Sequence, residues 1–226
     1  MSQEPAYNCH MSSATRQVGI PSGIFLDPTL MATGLSAAKV YSQPAAELAR
    51  LTKAGVLFKV ARGYYAAVPI NKRNTNWRPS LETLSAGVCN AVHGPGNGAL
   101  WGLSAARIHG ALPRAIAIGY VSGPTQHRPI ELQSGSGTVE FRKRNMHRLD
   151  LQFLDTELGP VLVTSIDQTI LDLSAQSFIN AQDLRAEAVK MLMGMTSIDR
   201  LMALAIRVRG QAAFARVRKL QSDAHS

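Results

Sequence analysis

The chain has 226 residues, 46% of them hydrophobic and 17% charged, a balance that excludes long disorder and leaves room for one small and one medium domain. Its formal charge of +9 points to a polyanionic partner if the excess is concentrated, and it is. Between Ser36 and Arg78 stand eight Lys or Arg against one acid, Glu47.

Residues 1–25 read as an N-terminal extension. Met1 to Gly19 is polar, with Glu4 and Arg16 and no apolar run, which is neither a secretory signal nor an anchor, and no later run of about 18 apolar residues suggests a membrane span. Cys9 and Cys89 form no disulfide framework, so a cytoplasmic location is expected. Asp27-Pro28-Thr29-Leu30 predicts a short helix start with Gly34 as its stop. A second helical stretch, Leu35 to Ala54, is interrupted near Pro44. In its later half Ala45, Leu48 and Leu51 form an apolar face, Glu47, Arg50 and Lys53 lie off it, and Gly55 is placed to end it.

Val56 to Val60 and Tyr64 to Val68 are β-prone runs joined by Ala61-Arg62-Gly63, which predicts a hairpin. Helix, turn, helix and hairpin is the order of a winged helix, in which the second helix enters a major groove and the hairpin reaches the flanking backbone. The predicted DNA-contacting cations are Lys39, Arg50, Lys53, Lys59 and Arg62, with Lys72 and Arg73 beyond the hairpin. Gly63 and Tyr65 are expected to shape the wing. This unit spans residues 26–79, its last part, Pro69 to Pro79, reading as a linker or an outlying strand.

Residues 80–226 read as a mixed α/β C-terminal domain, making the whole α+β. Its first helix is expected from Gly98 to His109. Short strands follow at Ala115 to Ser122, Ile130 to Gln133, Thr138 to Arg142, Leu149 to Leu154 and Val161 to Thr164. Ser165 and Gln168 suggest a capping box opening a helix from Ile166 to about Ser174. Two more helices are expected, Ala181 to Met193 and Ile198 to Leu220.

The chemical motifs are weak. Gly135-Ser136 with Asp150-Leu151-Gln152 echoes a nucleotidyltransferase signature, but Gln152 stands where a second metal-binding carboxylate is needed. Cys89-x3-His93 and Cys9-His10 lack the paired close spacing of a structural zinc site, so Cys89 is expected as a buried thiol and His93 as a loop residue. His109, beside Gly110, reads as a helix C-terminal cap. The sequence therefore predicts no catalytic residue, no metal and no cofactor. A second basic cluster, Arg142, Lys143, Arg144 and Arg148 with His147, reads either as a solvated hairpin or as a contact surface for DNA or an acidic partner.

The run Leu48-x2-Leu51-x-Lys53-Ala54-Gly55-Val56-Leu57-x-Lys59-Val60-x-Arg62-Gly63-Tyr64-Tyr65 resembles the hairpin signature of AbiEi-type antitoxins of type IV toxin–antitoxin operons. Leu103-Ser104-Ala105-Ala106-x2-His109-Gly110 and Val163-Thr164-x2-Asp167-x-Thr169-Ile170-Leu171-Asp172-Leu173 resemble its later blocks. The resemblance implies an N-terminal winged helix that represses its own operon through repeated promoter sites. It further implies a C-terminal domain needed for antitoxicity against a nucleotidyltransferase-like toxin, with Arg62, Gly63 and Tyr65 in the wing. The alternatives are a stand-alone winged-helix transcription factor whose C-terminal domain senses a partner or ligand, and an enzyme, against which the missing paired carboxylates count.

Overall fold

Two sheets flank one buried helix. The structure, a computed structural model, describes residues 22–24, 30–73, 75–175 and 181–223. Over these the chain is a mixed α+β protein, with no closed barrel among the described strands.

The first sheet is three-stranded and antiparallel: β1 (Met31–Thr33), β2 (Leu57–Ala61) and β3 (Tyr64–Ala67), in the order β1-β3-β2. Between β1 and β2 lie α1 (Gly34–Ala37) and α2 (Pro44–Lys53). The helix expected over Leu30 to Gly34 is a strand instead; Asp27 to Thr29 lie outside the described residues. Met31 and Ala32 are both fully buried, and alternation of the strand's faces sends them into different apolar clusters, which a single helical face would not. The same alternation divides Ala66 from Ala67. One face of the sheet thus rests on Leu48 and Leu51 of α2, while the other packs against α3 (Leu81–His93).

That helix was not expected. Ser80 caps it, its Oγ accepting from the Thr83 amide at 3.2 Å. Residues Glu82 to Asn90 are all buried, because α3 contacts β1 and β3 on one side and the larger sheet on the other. A helix covered from both sides has no polar stripe to reveal its period. The span Pro69 to Pro79 carries a short 3-10 turn, Ile70–Lys72, and no strand among its described residues.

The larger sheet has six strands, β4 (Ala99–Leu100), β5 (Ile118–Gly123), β6 (Ile130–Glu131), β7 (Thr138–Lys143), β8 (Leu151–Thr156) and β9 (Gly159–Thr164), in the order β6-β7-β5-β4-β9-β8. It is mixed: β5 runs parallel to β7 and β4 to β9, and the other pairs are antiparallel. The stretch expected to be helical from Gly98 begins with β4, and α4 covers only Gly102–Ile108. Close approach of α3 depends on glycines in this sheet. A Cβ at Gly119 would overlap Ser85 Oγ, and one at Gly123 would overlap the His93 ring.

Four further helices complete the chain: α5 (Ile166–Ser174), α6 (Gln182–Met193), α7 (Ile198–Val208) and α8 (Gln211–Asp223). The single helix expected from Ile198 to Leu220 is two. Arg209 adopts left-handed φ 60°, the Gly210 amide returns to the Ala205 carbonyl at 2.7 Å, and α8 folds back against α5. Ser165 caps α5 as expected, accepting from the Gln168 amide at 3.1 Å. The reciprocal half of the box is absent: the Gln168 side chain bonds Asp172 and the Asp150 amide, while the Ser165 amide donates to Asp150.

Candidate nucleic-acid interface

The small unit is built to expose the outer side of α2. Thr33 and Ser36 exchange side-chain hydrogen bonds with each other's amides, at 2.9 and 3.1 Å, and so start the one-turn α1. A turn bearing Lys39 leads to Pro44 in the first turn of α2, where the missing N–H costs nothing. The end of α2 is a Schellman closure: the Val56 amide donates to Leu51 at 3.0 Å and the Gly55 amide to Thr52 at 3.1 Å, with Gly55 at φ 67°. Leu48 and Leu51 turn inward, leaving Ala45, Ala46, Ala49, Arg50 and Lys53 exposed.

The β2–β3 hairpin closes through Arg62 and Gly63, both exposed, and Gly63 at φ 87° takes a conformation that an L side chain resists. Lys59 stands opposite Tyr65 in the register and is half-buried. Tyr65 itself is half-buried against the cluster of Leu48, Leu51 and Leu57, so its ring ties the hairpin to α2. Lys72 is exposed in the 3-10 turn and Arg73 follows it, half-buried.

The seven predicted cations of this unit are not equivalent. Arg50 donates twice to the Glu47 carboxylate, at 2.9 and 2.6 Å. That bond holds the Glu47 carboxyl below its ordinary value and raises the Arg50 guanidinium. Arg50 is therefore a compensated charge in the free protein. Lys39, Lys53, Lys59, Arg62 and Lys72 pair with no carboxylate among the described residues. Their charge is open to solvent or to a ligand.

The second predicted cluster does not form one surface. Arg142 and Lys143 end β7, Arg144 is the residue after it, and Arg148 follows in the turn Met146–Arg148. Arg144 folds inward: it holds Asp172 with both terminal nitrogens, the Nη2 to Oδ1 bond being 2.7 Å, and its guanidinium sits 5.5 Å from the centroid of the Trp101 ring. With its side chain 19% exposed, Arg144 is an internal ion-pair partner, where the sequence reading left it either on a solvated hairpin or in a contact surface. Lys143, the last residue of β7, is exposed, while Arg142 and Arg144 on either side of it are half-buried. Burial and the adjacent Arg144 lower the pKa of Arg142. Lys143, His147 and Arg148 remain exposed.

The remaining candidates have structural partners. Asp150 is held by Arg207. Gly135 and Ser136 line a cleft of about 480 Å³ with Ser80, Glu82 and Arg107, and there the buried Glu82 carboxylate accepts from Arg107 at 2.6 Å. Cys89 is buried with Sγ 3.6 Å from the Ser122 carbonyl. His93 is not a loop residue: it ends α3 and meets the Phe141 ring edge-on at 5.8 Å. Cys9 and His10 lie outside the described residues. His109 follows α4 as its C-cap residue, but its ring serves the sheet, Nε2–H donating to the Thr164 carbonyl at 2.8 Å. Burial lowers its pKa more than that bond raises it. Sequence reasoning missed the buried pairs Glu82–Arg107 and Arg144–Asp172, whose members lie 25 and 28 positions apart and carry no local signal. Among the described residues no helix is long and apolar enough to cross a membrane.

No family model matches the sequence, and no curated protein matches it. Among solved structures, the chain is similar to the crystal structure of the RV2827C protein from Mycobacterium tuberculosis. The TM-score is 0.47 at 18% identity, over 83% of this chain and 76% of that one.

Proposed function

We propose that the chain is a DNA-binding transcriptional regulator acting by binding rather than catalysis, with a winged helix over residues 26–79 and an α/β domain over residues 80–226. The observation that carries this reading is the order strand, helix, turn, helix, hairpin, with β1 closing on β3 to give the sheet order β1-β3-β2. In that arrangement α2 is the recognition helix and the Arg62–Gly63 tip is the wing. The small exposed side chains of Ala45, Ala46 and Ala49 allow α2 to approach base edges closely, and Lys39, Lys53, Lys59, Arg62 and Lys72 supply phosphate contacts. Arg50 joins them only by exchanging Glu47 for a phosphate.

The resemblance to AbiEi-type antitoxins extends the proposal: the protein represses its own operon from repeated promoter sites, in the cytoplasm, and counters a nucleotidyltransferase-like toxin through residues 80–226. The test is a salt titration of binding to the DNA upstream of its own gene, against scrambled DNA of equal length. Sequence-preferring binding whose affinity falls steeply with salt is expected. Equal weak binding to both DNAs would remove the regulatory reading.

A further inference from the structure

Helix α7 is apolar on two faces. Leu201, Leu204 and Ala205 are buried against the body of the protein, as an amphipathic helix requires. The opposite face carries Met202 and Ile206, 45% and 62% exposed, with the small Ala203 also exposed between them. Two more exposed methionines, Met191 at the end of α6 and Met195 in the turn leading into α7, add to the apolar surface of this corner. Exposed large apolar side chains grouped on one corner, rather than scattered singly, are a feature of association surfaces.

The charges on α7 say which partner fits. Four charged groups flank the apolar stripe and two are already engaged: Arg200 reaches Asp167 at 3.5 Å and Arg207 holds Asp150. The other two, Asp199 at the start of the helix and Arg209 just beyond its end, are exposed and pair with nothing among the described residues. A negative end, an apolar middle with a small residue at its centre, and a positive end make a stripe complementary to itself when turned around. We propose that the outer face of α7 pairs antiparallel with α7 of a second copy across a two-fold axis, setting Asp199 against Arg209 and Met202 against Ile206. Both pairings fall in one register, and each contact occurs twice, as an isologous interface demands. Ala203 lets the two backbones approach. An interface centred on one helix of about 16 Å is small and belongs to the weak, reversible class of association.

The inference is independent of the DNA reading. Its test is sedimentation velocity on the full chain from about 1 to 200 µM, a range in which weak, reversible association shows. The expected mass rises with concentration from 24.3 kDa toward twice that value. Ile206→Glu, at an exposed position, is expected to leave the circular dichroism and melting unchanged and to weaken association at least about tenfold. Asp199→Arg alone and Arg209→Asp alone are each expected to weaken it roughly tenfold, and the double exchange Asp199→Arg with Arg209→Asp to restore it. A mass that stays at 24.3 kDa across the range overturns the proposal. So does dimerisation indifferent to Ile206→Glu, or a double exchange that fails to rescue.

Discussion

The segment around α2 and the segment around β7 are both rich in basic residues, but only the second sends one of its arginines, Arg144, inward to a distant acid. Near α2 the cations outnumber the acids, and Lys39, Lys53, Arg62 and Lys72 end in solvent. In the larger unit five arginines find acids: Arg107 with Glu82, Arg114 with Glu187, Arg144 with Asp172, Arg200 with Asp167 and Arg207 with Asp150. The lesson is that a local excess of one sign predicts an exposed charged face, whereas a cluster with acids elsewhere in the chain is open to recruitment as internal cross-links. Linear sequence cannot tell a solvated Arg144 from one lying beneath a tryptophan.

The largest expected effect breaks this contrast at Arg144. Arg144→Ala leaves the buried Asp172 carboxylate unpaired, and loss of about 3 kcal/mol is expected in urea unfolding, with DNA affinity per folded molecule unchanged. Unaltered stability with weakened binding would return Arg144 to a contact surface. Next is Tyr65→Ala, expected to cost roughly 2 kcal/mol, less than a fully buried aromatic because the ring is only half-buried. The loss should appear in the same unfolding measurement.

A smaller effect is expected at Arg62. Arg62→Ala should leave the melting temperature in place and lower the slope of log affinity against log salt by about one unit, as removal of one phosphate contact does. An unchanged slope would take the hairpin tip out of the interface. Glu47→Ala sharpens the comparison in the other direction. It releases Arg50 from its internal pair, so binding should tighten and the slope should steepen, whereas weaker binding would mean the pair itself positions Arg50.

The smallest effect concerns pH. His109 has its pKa lowered in the fold by burial, so below its ordinary value of about 6.5 the unfolded chain binds the proton more readily than the folded one. Its contribution to stability is therefore complete above that value and is lost as pH falls toward the folded pKa. The urea midpoint should drop between pH 7.5 and pH 5.5, and His109→Gln should flatten that dependence; an equal drop in the variant would assign it to other groups.

The sequence by itself determined the elements whose period shows on one face. α2 was legible in its Leu48 and Leu51 spacing with Gly55 as its stop, the hairpin in its β-branched and aromatic runs around Arg62-Gly63, and α5 in its Ser165 cap. The exposure of Lys39, Lys53, Arg62 and Lys72 was legible too, because solvated charge needs no distant partner. The tertiary structure alone decided the rest. It made a strand of Met31 to Thr33 by offering β3 as a neighbour and two apolar surfaces for its alternating side chains. It hid α3 by covering both sides, and it bent the last long helix at Gly210 so that α8 could reach α5. It also drew Arg144 inward to Asp172, since burying one charge requires its opposite, wherever in the chain that opposite lies.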